Sequence, residues 1–162
     1  MAEQDGHANG ATPSEGEEAP PLRMLRVTIV TGDRLVYQGV ARRVVAPAVN
    51  GQIAILPGHL TLLAALEPGE MIVRRGDEEE GAAIDLAIGG GFLEVRDDEV
   101  IVLVDSAERA EEIDVARAEE ARLRALEAMR QYRGTPEYAA AARALSRSRA
   151  RLKVARHVRV RR

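Results

Sequence analysis

Hydrophobic and polar positions change their rhythm once along this chain. From Leu25 to Val104 they alternate in short runs with a period of two, the pattern of half-buried strands. Leu25, Val27 and Ile29 alternate with Arg26, Thr28 and Val30. Thr31-Gly32-Asp33 supplies turn chemistry before a second run, Leu35-Val36-Tyr37. Further runs span residues 40–46, 52–56, 60–66, 71–75, 83–88, 92–95 and 100–104. Their separators are turn formers: Pro47, Asn50-Gly51, Pro57-Gly58, Pro68-Gly69, Gly76-Asp77, Gly89-Gly90-Gly91 and Asp97-Asp98. Such punctuation predicts about eight to ten short strands over residues 22–108, in an antiparallel sandwich or flattened barrel. No crossover helix fits between the runs, which argues against a doubly wound α/β sheet.

Near Ser106 the period lengthens. Residues 107–131 lack Gly and Pro and are dense in Ala, Glu, Arg and Leu, good helix formers. Gly134-Thr135-Pro136 breaks this run, with Thr135 placed as an N-cap and Pro136 at the first helical position. A second helix is predicted over 136–156. In it Tyr138, Ala141, Leu145, Ser148, Leu152 and Ala155 recur at spacings of three and four. The first helix offers Ala118, Ala121, Ala125 and Ala128 along one edge, flanked by Leu126 and Met129. Two helices of about 21 residues, each roughly 30 Å long, joined by a short loop make an antiparallel hairpin. Its alanine seam buries little area, so the hairpin is expected to be marginally stable and mobile relative to a firm β domain.

Composition narrows the chemistry. The chain has no Cys or Trp, one Phe and three Tyr. That removes disulfides, thiolate metal sites and Cys nucleophiles, and it leaves few rings for stacking single-stranded bases. No apolar run approaches the ~18 residues of a membrane span. The start, MAEQDGHANG, lacks the basic and apolar regions of a signal peptide. Residues 1–21 carry five acids and no Lys or Arg, and read as a disordered acidic tail. The net charge of −3 divides unevenly. It is −5 over 1–21, −6 over 22–108 and +8 over 109–162. All the bases except Lys153 are Arg, and residues 143–162 hold nine bases and no acid. Parts so different in charge are expected to meet different partners.

Several segments resemble a known family. They are Val45-Ala46-Pro47, Asn50-Gly51-Gln52-Ile53-Ala54-Ile55-Leu56-Pro57-Gly58-His59, and Gly89-Gly90-Gly91-Phe92-Leu93-Glu94-Val95. Residues 100–104, followed by Asp105-Ser106-Ala107-Glu108, belong with them. Together they resemble the epsilon subunit of the F-type ATP synthase over about residues 24–156. The resemblance implies an N-terminal antiparallel β-sandwich of about ten strands over 22–108 and a C-terminal two-helix hairpin over 109–162. It implies a non-catalytic rotor component of the central stalk, touching the gamma subunit and the c-ring. It further implies a hairpin that folds against the sandwich or extends into the catalytic head and inhibits ATP hydrolysis. The location implied is the cytoplasmic face of the bacterial plasma membrane, reached only through the complex.

The resemblance also assigns candidate residues. Ile113-Asp114-Val115-Ala116-Arg117-Ala118 resembles the Ile/Leu-Asp-x-x-Arg-Ala motif of ATP-binding epsilon subunits. Carried over, Glu108, Asp114, Arg117, Ala118, Arg124, Arg147 and Arg151 form a nucleotide site for ATP as a regulatory ligand, with no cofactor required. Arg147 and Arg151 lie one helical turn apart, which suits forked guanidiniums to polyphosphate. An ordinary reading stands beside it, with Asp114 a helix-start acid and the arginines a solvated face. His59, with Gln52 and Ile53 beside it, is placed in a rotor-contact loop. His7, His59 and His157 lie too far apart to suggest a metal site or a triad. Gly89-Gly90-Gly91 lacks a P-loop Lys and a following helix, so it reads as a tight link between strands. The basic run containing Arg143, Arg147 and Arg151 has two functional readings. One is contact with acidic segments of the catalytic beta subunits when extended. The other is a free-standing nucleic-acid-binding module.

Overall fold

The computed structural model describes residues 23–76 and 83–161, with side chains up to His157. The acidic tail assigned to residues 1–21 and the Asp77 half of the Gly76-Asp77 turn lie outside the described residues. Strand β1 (Leu25–Val30) is followed by β2 (Leu35–Ala48), β3 (Gly51–Ile55), β4 (Leu62–Arg75), β5 (Ala83–Arg96), β6 (Glu99–Val104) and β7 (Ala107–Arg109). A single 3-10 turn, Ala110–Glu112, leads into α1 (Val115–Gln131) and α2 (Glu137–Arg161).

The strands run in the order β1-β6-β5-β4-β2-β3, and β1 also pairs with β2, so the sheet closes on itself. Closure leaves β3 and β7 as short flaps on β2 and β5. Every pairing is antiparallel except β1 with β6, which is parallel and sets Val27 beside Val100. The alternation in the sequence is the alternation of burial. In β6, Val100, Val102 and Val104 point inward while Glu99, Ile101 and Leu103 point out. Leu25, Ile29, Ile55, Met71, Leu86, Ile88 and Leu93 are fully enclosed in the same core. Each such aliphatic side chain contributes about 1.5–3 kcal/mol on burial.

The strand count corrects the sequence-based expectation. There are seven strands among the described residues, because three predicted pairs are fused. Residues 35–37 and 40–46 are one strand, as are 60–66 with 71–75 and 83–88 with 92–95. The fused strands bend instead of ending. The first half of β5 pairs with β7 and its second half with β6, while β4 accompanies it throughout. Gly89-Gly90-Gly91 is therefore the bend of one strand and not a link between two. The genuine turns fall where expected. Asp97 and Asp98 both have positive φ, as a two-residue hairpin turn demands.

The hairpin differs at its ends. Residues 107–113 were expected to be helical, yet Ala107 and Glu108 pair with β5 and the helix begins only after Asp114. Pairing with β5 buries Ala107 and outweighs local helix propensity. Thr135 does not cap α2 as expected. Its hydroxyl donates to the Tyr132 carbonyl at 3.0 Å. The predicted seam holds: Ala118 and Ala125 of α1, and Ala141, Leu145, Ser148, Leu152 and Ala155 of α2, are buried. Tyr138, the first residue of the predicted stripe, is exposed. A second buried face of α2 carries Ala150 and Val154, which pack with Ala87, Ala110 and Ile113. The second helix, expected to end at 156, continues to Arg161.

Candidate functional site

The junction between β domain and hairpin is thinly apolar. Alanines make up most of the cluster there, and Ile113 and Val154 are its largest buried members. Polar contacts bridge the same junction. Glu108, the middle residue of β7, accepts from Arg151 Nε at 2.9 Å and from its terminal nitrogen at 2.6 Å. The pair is about one-third exposed. A partly solvated pair of this kind contributes about 1 kcal/mol or less.

Beside this pair lies a cavity of about 310 Å³, lined by Glu108, Asp114, Arg117, Ala118, Ala121, Arg124 and Arg151. Three segments converge on it. β7 supplies Glu108, the start and first turns of α1 supply Asp114 to Arg124, and the middle of α2 supplies Arg151. Asp114 caps α1, accepting the Arg117 N–H on Oδ1 at 3.1 Å. Ala118 and Ala121, with no bulk beyond Cβ, form the floor. Arg117 and Arg124, two turns apart on one edge of α1, form the wall, and Arg124 also reaches Glu120 at 3.5 Å. Three guanidiniums against two carboxylates leave the cavity cationic. Its volume is at the lower end of the ~300–1,000 Å³ typical of small-ligand sites.

Six of the seven residues assigned to the nucleotide site are thus gathered here. Arg147 is not. Its side-chain Cδ would lie 3.4 Å from a Cβ at Gly89, so it packs on the β5 bend. Ala121 was missed, although its helical spacing from Ala118 was the available signal. The ordinary reading of Asp114 as a helix-start acid is realised, because its carboxylate caps α1 while also lining the cavity. Asp114→Ala should remove the cap and lower hairpin stability by about 1 kcal/mol. Thermal melting of the helical circular dichroism checks this, with the β-domain transition unmoved.

Gln52, Ile53 and His59, assigned to a rotor-contact loop, do not form one cluster. Gln52 sits at the start of β3 on a cavity shared with Glu67, Pro68, Arg149 and Lys153. His59 lies beyond the other end of β3, with Gln52 to Leu56 spanning about 13 Å of strand. Ile53 is half-buried against the core. The rigid spacing of an extended strand separates residues that look adjacent in sequence. The turn around His59 is well braced. Asp98 accepts from the Gly58 N–H and from Arg23, whose terminal nitrogen is 2.6 Å away. The Gly58 N–H, with Arg23 adding, holds the Asp98 carboxyl below the usual carboxylate range. Leu56 and Leu60 flank this turn and are exposed, Leu60 at 84%.

A surface missed in the sequence lies on β4, β5 and β6. Phe92 stands opposite Leu103 and Ala65, and Glu94 stands between Leu63 and Ile101. Leu63, Phe92, Ile101 and Leu103 are all exposed. The signal was apolar residues in the outward phase of strands whose inward phase was already apolar. Among the described residues, no group of His, Cys, Asp or Glu is arranged to hold a metal. No helix there is long and apolar enough to cross a membrane.

The arrangement defines a closed β domain that carries a helical hairpin, with an arginine-lined cavity at the junction of the two. Residues 24–110 match the family model described as ATP synthase, Delta/Epsilon chain, beta-sandwich domain, and residues 111–156 match the long alpha-helix domain of the same chain. The chain is 51% identical over 104 residues to the ATP synthase epsilon chain of Dehalococcoides mccartyi, covering 64% of this chain and 71% of that one. It is 44% identical over 132 residues to the epsilon chain of Herpetosiphon aurantiacus, covering 82% and 94%. A chain in the Euglena gracilis mitochondrial ATP synthase shares the fold, with a TM-score of 0.71 at 24% identity over 93% of this chain and 91% of that one. A chain in the central stalk and c-ring of the Tetrahymena thermophila enzyme does so with a TM-score of 0.60 at 20% identity, over 82% and 97%. The chain belongs to the ATP synthase delta/epsilon family, as an epsilon subunit of the F-type enzyme, a non-catalytic subunit of that complex.

Proposed function

We propose that the β domain couples this subunit to the gamma subunit and the c-ring, and that the hairpin is a brake on ATP hydrolysis which ATP holds retracted. The complex would lie on the cytoplasmic face of the bacterial plasma membrane, with this chain peripheral to it. The outer face of Leu63, Phe92, Ile101 and Leu103, together with the Leu56–Leu60 turn, suits burial against neighbouring subunits. Arg143, Arg147 and Arg151 are the arginines proposed to meet acidic segments of the catalytic beta subunits. In the retracted hairpin Arg151 is paired with Glu108 and Arg147 is packed on the β5 bend. They become available together only when the hairpin leaves. No observation favours the nucleic-acid reading of the same arginines.

The observation that carries the nucleotide part is convergence. Glu108, Asp114, Arg117, Ala118, Arg124 and Arg151, chosen by motif, line one cavity across the joint that must open. A ligand bound across both helices and β7 stabilises only the retracted form, and this difference in affinity is what shifts the equilibrium. Titration calorimetry of the isolated protein with ATP tests it. One site per chain is expected, with Arg117→Ala or Arg151→Ala weakening it roughly tenfold or more, the loss of one charge-assisted hydrogen bond. No heat at millimolar ATP would remove nucleotide from the account.

A further inference from the structure

Helix α2 carries cations on two sides. Arg147 and Arg151 meet the β domain. Arg149, Lys153 and Arg156, at spacings of four and three, share a different side of the helix. All three are exposed. With Arg122 of α1 they line a groove of about 560 Å³ between the helices. The acid in that groove, Glu119, is bound by Arg122. Glu70 of β4 holds Lys153 at 3.1 Å and also meets His157, but it is 2% exposed and offers nothing to solvent. Glu67 borders the cavity on the β-domain side of Arg149 without pairing to it. Among the described residues, Arg149 and Arg156 make no hydrogen bond or salt bridge. The groove therefore sets four cations against one carboxylate that is already paired.

The matched family does not account for the two ends of this chain. Its models cover residues 24–110 and 111–156. Before them, residues 1–21 carry Glu3, Asp5, Glu15, Glu17 and Glu18 and no Lys or Arg. After them, residues 157–162 carry three arginines and no acid. The acidic segment is joined to a region of net charge −6, while the hairpin region is +8. It is repelled by the domain it leaves and attracted to the helices.

We propose that residues 1–21 dock on the Arg149–Lys153–Arg156 face and tie the hairpin to the β domain. The reach fits. Arg23 is fixed beside Gly58, because Asp98 accepts from both. Gln52 borders the cavity that Arg149 also lines, and six residues of chain separate it from Gly58, about 20 Å at most. Glu18, Glu17 and Glu15 precede Arg23 by five to eight residues, a reach of about 17–27 Å. These acids arrive at Arg149 with little slack, and Asp5 and Glu3 can continue towards Arg156 and the arginines beyond it. Each exposed ion pair is weak. Tethering offsets this, since a short linker gives an effective concentration on the order of millimolar.

A second basic patch lies nearer the root of the segment. Arg43 stands opposite Arg74 on β2 and β4, with Arg42 and Arg75 next to them in sequence. Asp77, Glu78, Glu79 and Glu80 follow within five residues of Arg75 and balance those four charges. The α2 face has no such neighbours. On the reading that the hairpin moves, the tie adds to the retracted side. The docking itself needs only the retracted hairpin and no nucleotide.

The absence of cysteine allows a direct test, with a nitroxide on Ser14→Cys and amide signals read from the isotope-labelled full-length chain. At low salt, amides from Arg149 to Arg156 should be broadened severalfold and should recover when the nitroxide is reduced. High salt, which screens exposed charges, should abolish the broadening. So should Glu15→Gln, Glu17→Gln and Glu18→Gln together, or Arg149→Gln with Arg156→Gln. Removing residues 1–21 should speed hydrogen exchange of the α2 amides severalfold and leave β6 unchanged. No broadening, broadening centred on Arg43 and Arg74, or α2 exchange unaltered by the deletion would overturn the tie. Broadening of α2 that persists with nitroxide and isotope on separate chains would assign the segment to a second copy, and would overturn it too.

Discussion

Replacing Gly91 by valine should destabilise the β domain by about 4 kcal/mol, a large part of the ~5–15 kcal/mol that holds a domain folded. Gly91 has φ of +142°, a conformation that side chains rarely adopt. A Cβ there would lie 2.1 Å from the Leu103 carbonyl oxygen and 2.7 Å from Val104 Cα. Both are backbone atoms of β6, held by pairing with β5, so neither can swing aside. Backbone strain of roughly 1–3 kcal/mol adds to the overpacking. Urea unfolding measures the loss. Gly32→Ala, with nothing within 4 Å of the new carbon, should change little and serves as the control. A Gly91→Val chain as stable as its parent would mean the bend of β5 is not built as described.

The same triplet shows where sequence reading succeeds and fails. Three glycines in a row announce an unusual backbone, and positive φ is indeed present at Gly90 and Gly91. Local chemistry could not say whether the chain turns back or bends and continues. Continuation depends on β4 running alongside, a contact distant in sequence. The inward-facing valines and leucines were legible because alternation is local. The parallel β1–β6 pair was not, because it joins segments some seventy residues apart.

The candidate site divides in the same way. Asp114, Arg117 and Arg124 share one helix, and their grouping follows from helical spacing. Glu108 and Arg151 come from other elements, and the motif resemblance supplied them. Arg147 was assigned by the same resemblance, yet the packing of α2 turns it onto Gly89. Glu70 and His157 were invisible as a pair, lying 87 residues apart. Burial of a carboxylate is decided by the tertiary fold and leaves no local trace.

Removal of the hairpin carries the second large effect. Truncation after Ile113 is the informative cut, because it preserves two bonds that hold the edge of the β domain. Arg109 donates to the Val36 carbonyl at 3.1 Å, and Arg34 donates to the Ala107 carbonyl at 3.0 Å. The shortened chain keeps the closed sheet, the His59 turn and the apolar face of Leu63, Phe92, Ile101 and Leu103. It should therefore still assemble. What it loses is Arg143, Arg147 and Arg151, the residues proposed to engage the catalytic head. If the hairpin is extended for nine-tenths of the time, its removal raises the hydrolysis rate about tenfold, the inverse of the released fraction. Saturating ATP should narrow the difference by retracting the intact hairpin. The decisive measurement is the ATP hydrolysis rate of the reassembled complex, with the full chain and with the chain ending at Ile113, at equal subunit occupancy and low ATP. The account predicts a clearly faster rate with the truncated chain, and equal rates would contradict it.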